Sequence, residues 1–320
     1  MRSVDRDVAE YPVDIDQVLA AISQALLGKQ TQIKLALSCI FAGGHLLIED
    51  LPGMGKTTLA HAIADVLGLS YKRVQFTSDL LPADLLGVSI FNKEKSNFEF
   101  HQGPIFTQLL LADEINRSSA KTQSALLEAM EEKQVSIEGV TRKLPDPFFV
   151  IATQNPTSHS GTYPLPESQL DRFMMRITLG YPSQDAERIM LQTLVNSHKR
   201  VDANRAKLVP LLNLQQLEQL HNKACEVKVS DHLLDYVQRL TQFTRQNSSV
   251  TQGISPRGCL ALVRAAKAWA MLEKRTYLIP EDIQQVFVSV ISHRLSSVAG
   301  SKNANNLANH VLSQVDVVYT

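Results

Sequence analysis

A glycine-rich segment that ends in Gly-Lys-Thr has the clearest chemistry in this sequence. Gly53, Gly55, Lys56 and Thr57 follow the apolar residues 46–48. Between a strand and a helix, the backbone N–H groups of such a loop can surround phosphate oxygens. The lysine can reach the β- and γ-phosphates, and the threonine hydroxyl can bind Mg²⁺. The segment therefore predicts a phosphate-binding loop for a nucleoside triphosphate.

One position of this loop departs from the strict phosphate-loop motif. The motif has a glycine five residues before its second glycine, which is Gly55 here, and Asp50 stands at that position. A chance Gly-Lys-Thr in a turn is the alternative interpretation. The apolar run before the loop and the helical pattern after it favour the nucleotide site.

Two adjacent carboxylates follow another apolar run. Residues 109–112 are Leu-Leu-Leu-Ala, and Asp113 and Glu114 come directly after them. Ligands of open α/β sheets bind at the carboxyl ends of the strands. We therefore expect Asp113 to hold Mg²⁺ through water, and Glu114 to polarise the water that attacks the γ-phosphate. The alternative is the acidic start of an ordinary loop.

An amide follows the next predicted strand. Residues 148–153 are Phe-Phe-Val-Ile-Ala-Thr, and Gln154 and Asn155 come after them. An asparagine at the end of a strand is usually a turn residue. Because two nucleotide-site motifs precede it along the chain, we expect Asn155 at the same sheet edge, where its amide can orient the attacking water.

Two arginines complete the candidate site. Arg172 lies in Leu-Asp-Arg-Phe just before an expected domain boundary, so we predict that it acts in trans, on the nucleotide of a neighbouring subunit. Arg257 follows Ser255-Pro256 in the first turn of a predicted helix. We predict that it contacts the γ-phosphate of its own chain when that helix closes. A solvated or salt-bridged arginine is the alternative for each.

The elements that must position these residues change character along the chain. Apolar runs at residues 45–48, 72–76, 109–112 and 148–152 alternate with helical patterns, which predicts a parallel α/β sheet flanked by helices. After residue 182, every strong periodicity is helical. We therefore predict a nucleotide-binding domain over residues 1–182 and an all-helical lid domain over residues 183–320.

Apolar stripes and caps predict the helices of the second half. Asn213 and Ser230 precede helical patterns, Ser255-Pro256 begins another, and residues 283–291 have apolar residues at helical spacing. Residues 301–309 are polar and rich in asparagine. They are predicted to form a loop before a last short element.

Composition excludes several classes of protein. The chain has 320 residues, of which 44% are hydrophobic and 20% charged, as in globular proteins. Lys+Arg and Asp+Glu both number 32, so no overall charge draws the protein to nucleic acid or to an anionic membrane. The 3 cysteines are far apart, and no apolar stretch is long enough for a membrane span. We expect a cytoplasmic protein without disulfides.

At this point the sequence resembles the MoxR-type AAA+ ATPases, and the resemblance covers nearly the whole chain. The matching motifs are residues 52–60 (including Pro52, Met54 and Thr58), 75–77, 79–82, 103–106, 112–117, 121–132, 165–173 and 255–257. The resemblance implies an AAA+ core followed by a helical lid. It also implies Mg-ATP as the ligand and adenine near Gly28.

The resemblance has further implications for the assembly. Residues of about 85–100 resemble the helix-2 insert and those of about 134–144 the hairpin before the sensor strand, two elements that line the central face of a hexamer. Alternation around Gly139 independently predicts a hairpin there. A homo-hexamer, a protein client and a partner with a von Willebrand factor A (VWA) domain are implied. Residues 157–160 depart from the family, which usually has an acidic residue there.

The interpretation that follows is an ATP-driven remodelling chaperone. A nucleic-acid motor of the same clade is the main alternative, but no basic run or zinc cluster supports it, so we expect no nucleic-acid partner. A scaffold that senses ATP without turnover is a third hypothesis. The joint presence of Glu114, Asn155 and Arg172 disfavours it.

Overall fold

The apolar runs of the first half form one parallel sheet. A computed structural model describes residue 11 and residues 13–156, 165–196, 208–297 and 304–317. One sheet contains the five strands β1 (Leu46–Glu49), β2 (Tyr71–Gln75), β5 (Leu109–Asp113), β8 (Phe149–Gln154) and β9 (Met175–Ile177). Their order in the sheet is β2-β5-β8-β1-β9, and all neighbours are parallel. The predicted parallel sheet is confirmed, and β9 is an additional edge strand.

Helices cover both faces of this sheet, which explains why β5 and β8 are buried along their whole length and mostly apolar. The α3 helix begins at Lys56, directly after Gly55, whose φ of 90° only glycine adopts easily. The Ser119 side chain caps α5 by accepting from the Thr122 N–H. The helices of this part are α1 (Ile15–Ala25), α2 (Gln30–Phe41), α3 (Lys56–Val66), α4 (Pro82–Leu86), α5 (Ala120–Glu132) and α6 (Glu167–Leu170).

Two antiparallel hairpins extend from this core. The first pairs β3 (Gly87–Asn92) with β4 (Asn97–Gln102), within the region expected as an insert. The second pairs β6 (Gln134–Ile137) with β7 (Val140–Lys143), so the hairpin predicted around Gly139 is confirmed. Its turn residues Glu138 and Gly139 both have positive φ, as tight two-residue hairpin turns require.

The second half is helical, as predicted, apart from a short antiparallel pair formed by β10 (Val250–Gln252) and β11 (Ser296–Ser297). Asn213 and Gln216 cap α8 reciprocally, and the Ser255 side chain accepts from the Gly258 N–H at the start of α10. The helices are α7 (Gln184–Asn196), α8 (Leu214–Glu226), α9 (Asp231–Gln246), α10 (Pro256–Leu272), α11 (Pro280–Ile291) and α12 (Ala304–Gln314). The domain boundary after residue 182 falls between β9 and α7 and stays a prediction.

The prediction of a loop over residues 301–309 is wrong from residue 304 onwards, because α12 begins there. Leu307, Ala308 and Val311 are buried on one side of this helix, which packs against α11 and α9. Asparagine costs a helix only a few tenths of a kcal/mol, so the burial of this stripe outweighs the polar composition. Within the described ranges, no helix has the length and apolarity that a membrane span requires.

Candidate nucleotide site

The glycine-rich loop joins the carboxyl end of β1 to the start of α3. Gly53 and Gly55 both have positive φ, and among the described residues no atom beyond the chain neighbours of Gly53 lies within 4 Å of the position that a Cβ on Gly53 would occupy. The loop is therefore open on that side, and a ligand can approach its backbone closely. The half-buried Thr57 follows in the first turn of α3, where hydroxyl and backbone N–H groups are available to phosphate.

Lys56 is buried at the base of the loop. Its Nζ donates to the Asp50 carbonyl at 2.7 Å and to the Asn155 Oδ1 at 3.0 Å. Burial lowers the pKa of Lys56, while the carboxylates of Asp113, Asp50 and Glu114 act in the opposite direction. Those carboxylates favour the charged form that a triphosphate requires.

The Asp113 carboxylate ends β5 and is held from two sides. Its Oδ1 accepts from the Thr153 hydroxyl at 2.5 Å, and its Oδ2 accepts from the Arg73 guanidinium at 2.6 Å. Thr153 is fully buried on β8, and Arg73 is on β2, so the two strands next to β5 both contribute.

Glu114 directly follows β5 in a left-handed backbone conformation, with φ of 56°. Its N–H donates to the Thr153 Oγ1 at 2.9 Å. Its carboxylate accepts from the Asn155 Nδ2 at 3.0 Å and from the Gln75 Nε2 at 2.7 Å. Glu114 is therefore held on the same sheet edge as Asn155, as the sequence predicts.

The Asn155 amide connects the lysine to the glutamate. It accepts from Lys56 and donates to Glu114, so one side chain contacts two groups of opposite charge. The structure brings Lys56, Asp113, Glu114 and Asn155 together at the carboxyl edge of the sheet. Their chemical roles stay predictions.

Sequence reasoning missed four residues that hold the acids, namely Arg73, Gln75, Thr153 and Arg117, which pairs with Glu114 at 3.3 Å. Gln75 ends β2 and is paired in register with Asp113. The carboxyl ends of parallel strands meet at one edge of the sheet. Gln75 at the end of β2 and Thr153 near the end of β8 could therefore have been predicted to lie beside the acids. No signal identified Arg73, because only the strand register places it beside Asp113.

The two predicted arginines lie together and far from this edge. Arg172 donates to the Leu127 carbonyl at 2.6 Å and pairs with Glu131 at 2.8 Å, while Arg257 pairs with the other oxygen of Glu131. The hydrogen bond from Arg257 and the nearby charge of Arg172 lower the pKa of Glu131. The arginines line a cavity of about 430 Å³ with residues 43–45, which precede β1.

This placement differs from the predicted cis role of Arg257. The phosphate loop follows β1, whereas the arginine cavity adjoins the residues before β1, so the two lie at opposite edges of the sheet. The structure groups Arg257 with Arg172 rather than with Lys56. The sequence could not reveal this, because the lid position is set by packing between α10 and α2.

Comparisons with known proteins agree with this geometry. Residues 45–175 match the model of the ATPase family associated with various cellular activities (AAA), and residues 242–312 match the AAA lid domain. The chain is 38% identical over 290 residues to "Chaperone MoxR1" of Mycobacterium tuberculosis, a match that covers 88% of this chain and 75% of the relative. The chain belongs to the MoxR family of AAA+ ATPases.

Two further comparisons extend over most of this MoxR-family chain. It is 46% identical over 274 residues to "Uncharacterized protein YeaC" of Bacillus subtilis, covering 86% of this chain and 84% of that protein. The crystal structure of a candidate ATPase from Cytophaga hutchinsonii has a TM-score of 0.85 and 36% identity and covers 95% of both chains. The predicted AAA+ core, helical lid and ATPase class are confirmed.

Gly28 lies close to the loop of this AAA+ ATPase. It has a φ of 72°, and a Cβ on it would lie 3.1 Å from the Ala186 Cβ at the start of α7. Its neighbour Leu26 approaches the phosphate loop, since a Cβ on Gly55 would lie 2.7 Å from the Leu26 Cδ1. The segment between α1 and α2 is thus placed beside the loop, and adenine binding by Gly28 stays a prediction.

The residues present fit a magnesium nucleotide. Thr57 and Asp113 supply oxygen donors, and Mg²⁺ typically binds one or two protein oxygens together with phosphates and water. Among the described residues, no group of three or more His, Cys, Asp or Glu side chains could hold a metal ion by itself. The departure at residues 157–160 lies outside the described residues.

Proposed function

We propose that this ATPase hydrolyses Mg-ATP at the interfaces between subunits of a homo-hexameric ring. The observation that carries the proposal is the division of the site between two edges of the sheet. Lys56, Asp113, Glu114 and Asn155 lie at one edge, and Arg172 and Arg257 lie at the other. One chain therefore cannot complete the site in this conformation, whereas a neighbour that presents its arginine edge can.

Each residue at the carboxyl edge has a task in this proposal. The backbone of residues 52–55, the Lys56 ammonium and Thr58 bind the phosphates. The Thr57 hydroxyl and the Asp113 carboxylate would hold Mg²⁺. Bound Mg²⁺ supplies charge neutralisation for the β- and γ-phosphates. Glu114 accepts the proton of the attacking water, and Asn155 orients that water.

The hydrogen bonds of Asn155 support a rearrangement when nucleotide binds. Lys56 donates to Asn155, and Asn155 holds Glu114. When Lys56 turns to the phosphates, the Asn155 oxygen loses its charged donor, and the amide is free to bind water instead. The Asn155 Nδ2 still donates to Glu114, so the amide then holds the proposed base beside that water.

Glu131 is the counter-ion of the arginine pair in a chain without a neighbour. Both guanidinium groups contact its carboxylate, which holds two like charges side by side. Arg172 and Arg257 are 30% and 51% exposed, so each can leave Glu131 for the phosphates of an adjoining subunit. We therefore assign both arginines to the trans side.

The energy of hydrolysis serves the remodelling, assembly or cofactor loading of another protein in this proposal. One relative at 38% identity is named a chaperone. Phe91 and Phe98 of the β3–β4 hairpin are 50% and 71% exposed and contact each other, which suits them to bind a protein client. A VWA-domain partner and a cytoplasmic location complete the proposal.

The Glu114→Gln variant tests this function. It keeps the hydrogen-bonding shape but removes the base, so ATP should bind normally while phosphate release falls at least 100-fold. Glu128→Gln is the matched control, because Glu128 is an exposed carboxylate on α5. Turnover that survives in Glu114→Gln contradicts the assigned base.

The same variant should retain its client when it is captured with ATP. A VWA-domain protein among the retained species supports the chaperone function. Enriched DNA or RNA instead of protein supports the nucleic-acid motor.

A further inference from the structure

Asp50 occupies the position at which this loop departs from the strict phosphate-loop motif. It is buried, with 7% of its surface exposed. A buried carboxylate at this place puts a negative charge close to a triphosphate, which is unfavourable unless other contacts offset it. The hydrogen bonds of the Asp50 carboxylate supply such contacts.

The Asp50 carboxylate accepts three backbone N–H groups. Its Oδ2 accepts from Leu179 at 2.8 Å and from Gly180 at 2.6 Å, and its Oδ1 accepts from Leu51 at 2.8 Å. Hydrogen bonds to an ionised group are short and about twice as strong as neutral ones. The strict-motif glycine has no side chain that could make these contacts.

Two of these N–H groups belong to the segment that leads into the second half of the chain. Leu179 and Gly180 lie after the end of β9 at Ile177 and before the start of α7 at Gln184. Gly180 has a φ of 65°, which turns the chain at this point. We call residues 178–183 the linker.

The linker has a second anchor beside the loop. The Lys29 Nζ donates to the Tyr181 carbonyl at 2.6 Å. Lys29 directly follows Gly28, which itself lies against Ser183 and Ala186. The linker is thus attached to two segments that adjoin the proposed nucleotide site.

The backbone of Asp50 also contacts the phosphate lysine. In this structure the Lys56 Nζ donates to the Asp50 carbonyl at 2.7 Å. When Lys56 turns to bound phosphates, Asp50 loses this contact at its carbonyl while its carboxylate still holds the linker. One residue therefore contacts both the group that responds to phosphate and the chain that leads to the lid.

We propose that Asp50 is a positioning residue that couples occupancy of the phosphate loop to the linker and, through it, to α7. The proposal rests on the proposed nucleotide site, and it requires neither hydrolysis nor the ring. It explains why an aspartate stands where the strict motif has glycine: the side chain transmits a change in the loop that glycine cannot transmit.

Hydrogen exchange at the linker amides tests the coupling. In the wild-type chain, addition of a non-hydrolysable Mg-ATP analogue should change the exchange of the Leu179 and Gly180 amides at least threefold. Asp50→Asn keeps the shape but retains only one carbonyl oxygen, and Asp50→Gly restores the strict motif. In both variants we expect these amides to exchange at least tenfold faster and to lose their response to the analogue.

A fluorescent ATP analogue measures binding in the same variants, and the linker response of each variant is recorded at an analogue concentration that saturates its site. Asp185→Asn is the matched control, since it makes the same chemical change on an exposed residue of α7 and should leave the linker response intact. Circular dichroism of each variant identifies any loss of folding.

The outcomes separate the two proposals. If the wild type binds the analogue but its linker amides do not respond, the coupling is contradicted whether or not the variants fold. If the Asp50 variants respond as the wild type does, the coupling is also contradicted, while the nucleotide site stands. If the wild type fails to bind the analogue, both proposals fail.

Discussion

Thr153 contacts both acids of the site with a single hydroxyl group. Its Oγ1 donates to the Asp113 Oδ1 and accepts from the Glu114 N–H. The side chain is fully buried, so water cannot easily replace these contacts. At the scale of the residue, one hydroxyl thus orients the proposed metal-binding carboxylate and the backbone of the proposed base.

We expect Thr153→Val to cost about 1–3 kcal/mol of stability, because the buried Asp113 Oδ1 loses its donor and the partly buried Glu114 N–H loses its acceptor. ATP turnover should fall at least tenfold, since both acids lose their orientation. Thr153→Ser keeps the hydroxyl and should restore most of the turnover. Urea unfolding and a phosphate-release assay measure the two effects, and equal turnover in Val and Ser variants would speak against this role.

A second residue, His45, makes stability depend on pH. Its Nδ1 accepts from the Val150 N–H at 3.0 Å, so its Nε2 carries the proton and donates to the Met130 carbonyl. Burial lowers the pKa of His45 from 6.5 to about 4. The folded chain therefore holds neutral histidine at pH values where the unfolded chain binds a proton.

The contribution of neutral His45 to the free energy of unfolding is complete above pH 6.5. It is lost as the pH falls towards 4, because only the unfolded chain takes up the proton in that range. The difference between the two pKa values corresponds to about 3 kcal/mol. The free energy of unfolding, measured with urea at several pH values, should therefore fall more steeply between pH 6.5 and 4 in the wild type than in His45→Gln. His293, whose pKa burial also lowers, should maintain part of the dependence in the variant.

At the scale of the element, the two hairpins contact each other rather than standing apart. The Ser89 hydroxyl of β3 donates to the Glu138 carboxylate in the β6–β7 turn. The Arg142 guanidinium of β7 lies 3.9 Å from the ring centre of Phe100 in β4. These contacts link the two elements that the resemblance places at the central face of a ring.

Arg142→Met tests this link, because it retains an apolar side chain of similar length and removes the charge. An exposed cation–π contact contributes about 0.5–1 kcal/mol. The amides of β3 and β4 should therefore exchange about 2- to 5-fold faster, with little change in the parallel sheet. Unchanged exchange in the hairpin would mean that Arg142 does not connect the two elements.

At the scale of the whole molecule, the sheet separates the two halves of the proposed site. The strand ends with Lys56 and Glu114 lie at one edge, while α5 returns across the sheet and brings Glu131 to the other. In the proposed ring, each chain would therefore present the face with Arg172 and Arg257 to the face of a neighbour that carries Lys56 and Glu114. Head-to-tail contacts between such faces produce a ring if the rotation closes.

Mixing two inactive variants tests this arrangement. Glu114→Gln chains retain the arginines, and Arg172→Ala chains retain the base. Each alone should have little turnover, and a mixture should recover at least tenfold more, because mixed interfaces combine an intact base with an intact arginine. Arg257→Ala in place of Arg172→Ala asks the same question of the second arginine.

The control for this mixing is the Glu114→Gln, Arg172→Ala double variant in place of Glu114→Gln. It supplies no Arg172 to a neighbour and retains only Arg257, so it should rescue nothing if Arg172 is required in trans. Recovery with the double variant, or none with Glu114→Gln, would argue against a trans role for Arg172.

The sequence alone determined four of the five strands of the parallel sheet, the hairpin around Gly139, helices of the second half and the candidate residues at the carboxyl edge of the sheet. These features depend on local patterns, such as the apolar run before Asp113 and the capping residues Asn213 and Ser255, whose effects extend over a few positions. The family also followed from local motifs. The comparisons confirm that family.

Only the tertiary structure decided the partners of these residues. Three sets of contacts join positions that are far apart in sequence, so no local pattern reports them. They are the contact of Arg73 with Asp113, the contacts of Glu131 with two arginines, and the contact of Asp50 with the linker. The side of the sheet on which Arg257 lies depends on how the lid packs against α2, and α12 forms because its apolar stripe finds a surface to cover. Such contacts are decided by the burial of surfaces in three dimensions, which a linear pattern does not contain.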